Sequence, residues 1–198
     1  MIIWINGAFG SGKTSAAYTL HRRIPGSFVY DPEDVGYFIR KRIPGGMEKD
    51  DFQDYPMWRE MNYAMLKNIA AEFDGILIVP MTVTHPVYFN EIVGRLRDEG
   101  VGVRHFTLWA SRDVLLARLK GRGDGYNSWP ARQVERCLEG LANPLFGEHL
   151  DTDHLSRDEV VGRIAAECGI PLQPDERTKL QKAWDRAILT LKHIRIGK

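Results

Sequence analysis

Eight residues near the amino terminus, Gly7-Ala8-Phe9-Gly10-Ser11-Gly12-Lys13-Thr14, have types and spacing suited to gripping a polyphosphate. They fit the pattern GxxxxGKS/T in full. Glycines at those positions let a loop wrap so that backbone N–H groups converge on an anion. A helix starting directly after the loop adds the positive end of its dipole. Lys13 is then expected at the β- and γ-phosphates, and the Thr14 hydroxyl at a magnesium ion that keeps water as its other ligands. Gly7, Ala8, Phe9, Gly10, Ser11, Gly12, Lys13 and Thr14 are therefore the expected nucleotide contacts. The tetrapeptide NKxD, which would read guanine, is absent. ATP with Mg²⁺ is the expected pair of cofactors.

A bound triphosphate leaves the reaction open, and carboxylates narrow it. The third apolar run ends in Pro80 rather than in the aspartate of a Walker B strand. Asp31 and Glu33 instead follow the second apolar run, and in a parallel sheet the carboxyl ends of neighbouring strands lie close together. A carboxylate there can orient the magnesium shell or take the proton of an attacking hydroxyl. Asp31 is the expected catalytic and metal-site carboxylate, with Glu33 at the substrate. The competing reading is that Asp31-Pro32-Glu33-Asp34 only caps the next helix. Arg118 and Arg122, four residues apart before a glycine-rich stretch, are expected to close over the phosphates. Arg40, Arg59, Asn62 and Thr82 are the expected acceptor contacts. His85 reads more simply as part of a helix entry, and Trp58, spaced helically with Met61 and Met65, as core.

These groups need a scaffold, and the apolar pattern supplies one. Short apolar runs at Ile2–Ile5, Phe28–Tyr30, Ile76–Val79 and Val103–Trp109 alternate with helical patterns, as in repeated βα units, and a short fifth strand is expected around His149–Thr152. Helices are predicted over Lys13–Arg23, Asp34–Arg42, Pro56–Phe73, Pro86–Glu99, Ser111–Lys120, Ala131–Leu141 and, from a capping box at Ser156–Glu159, to Cys168. The fold class is α/β: a kinase-like P-loop three-layer sandwich with a five-stranded parallel sheet in the order 2-3-1-4-5. It is expected to span 1–172, with an acceptor-binding insertion about 35–66 and a lid about 115–130. A C-terminal amphipathic helix is expected within 173–198.

Composition removes other classes. The chain has 198 residues, 43% hydrophobic and 27% charged, as in a soluble globular protein. A net charge of +1 gives no general attraction to nucleic acid, and no nucleic-acid partner is expected. Cys137 and Cys168 form no metal or redox motif. Met1–Ile5 runs straight into the glycine loop, so no signal peptide is expected. No apolar run approaches the ~18 residues a membrane span requires. The expected location is the cytoplasm.

With those residues placed, the chain resembles the tunicamycin-resistance proteins, ATP-binding members of the P-loop kinase-like group. The resemblance is carried by IIWINGAFGSGKT at 2–14, FVYDPEDVG at 28–36, DDFQDYPMWR at 50–59 and GILIVPMTVTHPVYFNEIVGRLR at 75–97. It continues through HFTLWAS at 105–111, NSWPARQVERCLEGL at 127–141 and LKHIRI at 191–196. It implies Gly7, Gly12, Lys13 and Thr14 as nucleotide contacts. It also implies protection against a nucleoside antibiotic that carries uracil, amino sugars and an acyl chain. Three functions follow as expectations: a kinase of a hydroxyl on such a nucleoside, a non-catalytic ATP-linked protein that sequesters it at the membrane, or a kinase of an ordinary metabolite.

The last segment bears on the second of these. Leu180, Trp184, Ala187, Ile188, Leu191 and Ile194 recur at helical spacing opposite Lys179, Lys182, Arg186, Lys192, Arg195 and Lys198. A basic amphipathic helix over 175–196 suits peripheral contact with the inner face of an anionic membrane. It equally suits packing on its own domain.

Overall fold

The computed structural model describes residues 1–147, 149–178, 180, 181, 184, 185 and 188. Among them, five strands form one parallel sheet in the order β2-β3-β1-β4-β5. The strands are β1 (Ile2–Gly7), β2 (Ser27–Val29), β3 (Ile76–Pro80), β4 (Val103–Trp109) and β5 (His149–Asp151). Between them run α1 (Lys13–Arg23), α2 (Pro32–Arg40), α3 (Pro56–Glu72), α4 (Pro86–Phe89), α5 (Arg95–Asp98), α6 (Arg112–Gly121), α7 (Trp129–Arg132) and α8 (Val134–Leu141). The last of the fully described helices is α9 (Arg157–Glu167). A π-helical turn, Asn90–Gly94, joins α4 to α5.

The central strand explains the three layers. Every residue of β1 is buried. Ile2 and Trp4 point to one face, where Trp58, Leu66, Leu77, Val79, Phe89 and Leu115 pack. Ile3 and Ile5 point to the other, with Ala17, Leu20, Ile78, Val161 and Ile164 of α1, β3 and α9. A strand covered on both sides needs a continuous apolar run, and IIWI is one. Because all strands run the same way, their carboxyl ends bring the loops at 7–14, 30–33, 81–85 and 110–111 to one edge.

Ser156 and Glu159 form the predicted capping box of α9, each side chain bonded to the other's backbone. Two expectations are corrected. Trp58 is fully buried, but Met61 and Met65 are 36% and 46% exposed. The inward row of α3 is Trp58, Asn62 and Leu66, and the methionines with Met57 form the neighbouring row. Spacing of four fits both rows, and only the packed partner selects one. The predicted helix at 131–141 begins earlier, at Trp129, under a Ser128 cap, and is interrupted at Gln133.

Most of the amphipathic helix expected over 175–196 lies outside the described residues. Leu180 and Trp184, which are described, are 84% and 70% exposed. Among the described residues no helix is long and apolar enough to cross a membrane.

Candidate functional site

The loop after β1 owes its shape to three glycines with positive φ: Gly7 (144°), Gly10 (84°) and Gly12 (100°). At Gly7 a β-carbon would come within 2.6 Å of both the Leu108 carbonyl and the Ser11 hydroxyl. Only glycine lets the loop pass there. Gly12 sits at the N-cap of α1 and offers that helix no side chain, and the first turn of α1 holds no acidic residue. The leading N–H groups of an α-helix lack intrahelical partners. The amino end of α1 is thus shaped to receive an anion from outside the chain. Nearby, the Ser11 hydroxyl is buried with no hydrogen-bond partner among the described residues.

Lys13 is drawn back onto this loop. Its Nζ donates to the Ala8 carbonyl at 3.0 Å and lies 5.6 Å from the centre of the Phe9 ring. Burial lowers its pKa from 10.5 to about 8. Cys137, Glu33 and Asp31 pull that value upward, and Arg122 pushes it further down. Both predicted carboxylates therefore act electrostatically on the predicted lysine. Asp31 also caps α2, its Oδ1 accepting from Glu33 N at 3.0 Å. Capping and a place in the charged site coexist in this one residue. Tyr30, just before it, donates 2.8 Å to Asn62 Oδ1. Burial, reinforced by Asp31 and Asp34, raises the phenol's pKa.

The two arginines separate. Arg118 spends its guanidinium on Thr152, donating to Oγ1 at 3.0 Å and to the carbonyl at 2.6 Å. Thr152 in turn bonds the Trp109 carbonyl, so Arg118 ties the ends of β4 and β5 together. Arg122 is the arginine whose charge reaches Lys13, and it pairs with Asp124 at 2.7 Å.

Of the acceptor candidates, Arg40 lies 5.4 Å from the Phe52 ring and donates to the carbonyls of Lys49 and Asp50. It braces the segment before Phe52. Asn62 is fully buried, and its amide is used at both ends, by Tyr30 and by the Trp58 carbonyl. Arg59 pairs with Glu91, donates 2.5 Å to the Gln53 carbonyl and covers Tyr88 at 4.1 Å. Thr82 donates 2.8 Å to the Gly7 carbonyl. The polar atoms of Asn62, Arg59 and Thr82 are thus engaged with partners inside the protein. His85 stacks on Tyr88 at the entry to α4, 4.4 Å between centroids.

Several groups at the site were not singled out by the sequence. Asn6 accepts from Gly7 N at 2.8 Å and from Val83 N at 3.0 Å, and donates to Val83 O at 2.8 Å. A polar residue ending a fully buried strand was the signal for it. Trp129 meets Phe9 edge to face at 5.1 Å. Cys137, on the buried face of α8, lies close enough to the loop for the Phe9 backbone and Lys13 to act on its thiol, whose pKa burial raises. Nothing local in the sequence marks that thiol.

The residues fit a nucleotide: a glycine cradle, an uncapped helix start and a lysine opposed by carboxylates. No cluster of three or more His, Cys, Asp or Glu among the described residues could hold a metal by itself. The Thr14 hydroxyl and the Asp31 carboxylate are the residues that would hold a magnesium ion here, with water among its other ligands.

A family model described as AAA domain matches residues 2–144. No curated protein sequence matches the chain. Among solved structures, the Deinococcus radiodurans tunicamycin resistance protein is 38% identical, with a TM-score of 0.74, covering 88% of this chain and 99% of that one. A gluconokinase from Sinorhizobium meliloti is 22% identical, with a TM-score of 0.59 and coverages of 84% and 90%. Shikimate kinase from Bacteroides thetaiotaomicron is 20% identical, with a TM-score of 0.54 and coverages of 86% and 99%. At these lower identities the two kinases speak for the fold.

Proposed function

We infer, since the chain belongs to the AAA domain family and within it to the tunicamycin-resistance proteins, that it is an ATP-dependent phosphotransferase acting on a hydroxyl of a tunicamycin-like nucleoside. The fold and loop make it a nucleotide-binding, kinase-like protein. The observation that carries transfer is the opposition of charges at one uncapped helix start. Lys13 stands at the head of α1, and Arg122, Asp31 and Glu33 all act electrostatically on it.

In this reading the loop N–H groups hold the β-phosphate, and Lys13 leaves the Ala8 carbonyl for the γ-phosphate. Asp31 orients the acceptor hydroxyl and takes its proton as the acceptor oxygen bonds the γ-phosphorus and the bridging P–O bond breaks, with ADP as the leaving group. Arg122 gathers charge on the transferring group, as positioning and electrostatics dominate such reactions. Magnesium, held through Thr14, supplies further charge neutralisation when bound. Arg118 holds the ends of β4 and β5 together beside the site, and Glu33 and Arg40 are assigned to the acceptor side.

The test incubates the full chain with Mg-ATP and tunicamycin and reads the drug's mass. One added phosphoryl group, lost in Lys13→Ala, supports the reading. Unchanged drug that binds tightly only with ATP would replace it with sequestration, the reading that the exposed Leu180 and Trp184 favour through peripheral membrane contact. Drug that neither changes nor binds leaves a kinase of another metabolite.

A further inference from the structure

We propose that Gln53 and Thr82 are positioning residues through which the acceptor-side insertion holds the entrance of the phosphate loop in its binding shape. It rests on the nucleotide reading of that loop and on nothing about the acceptor's identity.

Gly7 is the hinge between a rigid strand and the loop, and both of its backbone polar groups are tied to the chain leaving β3. Its N–H goes to Asn6 Oδ1, which also receives Val83 N. Its carbonyl receives the Thr82 hydroxyl at 2.8 Å. Thr82 is itself held from outside the sheet: its carbonyl accepts from Gln53 Nε2 at 3.0 Å. Gln53 is 9% exposed and Thr82 5%. Neither bond can be replaced freely by water, so each side chain is committed to one partner geometry.

Gln53 is fixed in turn. Its carbonyl receives Arg59 at 2.5 Å, and its N–H goes to Asp51 Oδ1 at 3.0 Å. The second oxygen of Asp51 meets Arg136 of α8 at 3.3 Å. A bonded path therefore runs from α8 through the insertion to the first residue of the phosphate loop. The hydrogen bond from Thr82 reaches the loop at Gly7 O, and Gln53 reaches it through Thr82, so both act on binding through the position of that peptide. A double-mutant cycle measures the coupling along this path.

The cycle measures the affinity of the full chain for Mg-AMPPNP by calorimetry, with thermal midpoints recorded in parallel. Gln53→Leu is expected to weaken binding at least fivefold, and Thr82→Val likewise. Thr82→Ser, which keeps the hydroxyl, is expected to bind as the parent does. Because both side chains act through one peptide, the double variant should be no worse than Thr82→Val alone. Parent-like binding by Gln53→Leu, or losses that multiply in the double variant, would overturn the proposal. If Gln53→Leu does not fold, Arg136→Gln at the exposed end of the path decides: a twofold or greater loss supports it, and unchanged affinity overturns it. A parent protein that fails to bind Mg-AMPPNP overturns this proposal and the nucleotide reading together. Failure of the drug to gain phosphate leaves this proposal standing.

Discussion

The helices that begin beside the site, α1 at Lys13 and α2 at Pro32, each follow a strand of the same parallel sheet, yet they close their amino ends in opposite ways. The start of α2 is complete within the chain. Asp31 accepts from Glu33 N, Pro32 occupies the first turn, and Glu33 and Asp34 answer the helix dipole. The start of α1 has a glycine where the cap would be and no acidic residue in its first turn. The charges that complete α2 also act on Lys13 at the head of α1. One helix end is thus satisfied internally, and the other is left for phosphate with its neighbour's carboxylates close by.

The strongest way to break this contrast is to remove the lysine. Lys13→Ala is expected to reduce transfer at least ~10²-fold, the scale of one lost charge-stabilising donor. Transfer measured by drug mass that persists near the parent rate would move the phosphate site away from α1.

The second largest effect separates the two roles of Asp31. Asparagine caps a helix about as well as aspartate, so Asp31→Asn should hold stability within about 0.5 kcal/mol while slowing transfer ~10²-fold. Asp31→Ala should lose activity and a further ~1 kcal/mol from the cap. Full activity in the asparagine variant would leave Asp31 a cap only.

The third effect is in pH. The Lys13 pKa of about 8 means that the free protein sheds this proton as pH rises past 8, whereas bound phosphate favours the charged form. Binding then takes up a proton, and Mg-AMPPNP affinity should fall by up to ~10-fold per pH unit above that value. Calorimetry between pH 7 and 9.5 checks it, on the order of one decade across the range. The lowered pKa also means that the fold resists the charged lysine, so Lys13 itself favours folding more as pH rises from about 8 toward 10.5. A flat binding profile would place Lys13 outside the phosphate contacts.

The smallest effect is a control on a capped helix away from the site. Ser156→Ala breaks the capping box of α9 and should cost about 1 kcal/mol in denaturant unfolding. Nucleotide affinity should not change. A change there would mean that cap loss alone can mimic a site effect, and the contrast between α1 and α2 would lose its force.

Much of this protein could be read locally. Helix α1 runs from Lys13 to Arg23 as the glycine loop before it and Pro25-Gly26 after it require. The parallel strands follow from the βα rhythm, and their order β2-β3-β1-β4-β5 is the one expected of a kinase-like P-loop fold. The acceptor side was far less legible. Arg59, Asn62 and Thr82 have the chemistry of ligand contacts, and the same chemistry satisfies buried carbonyls and carboxylates. Arg118 and Arg122 look alike in sequence, yet one bonds Thr152 and the other acts on Lys13.

The sequence by itself determined the anion-binding loop, because its conformation depends on glycines and on the helix that follows within a few residues. It also determined the layered sheet, because the apolar runs must be covered on both faces. Only the tertiary structure decided which polar side chains are bonded to which partners within the protein. Gln53, Thr82 and Gly7 lie far apart in the chain, and hydrogen bonding among buried groups assigns their roles only once folding brings them together.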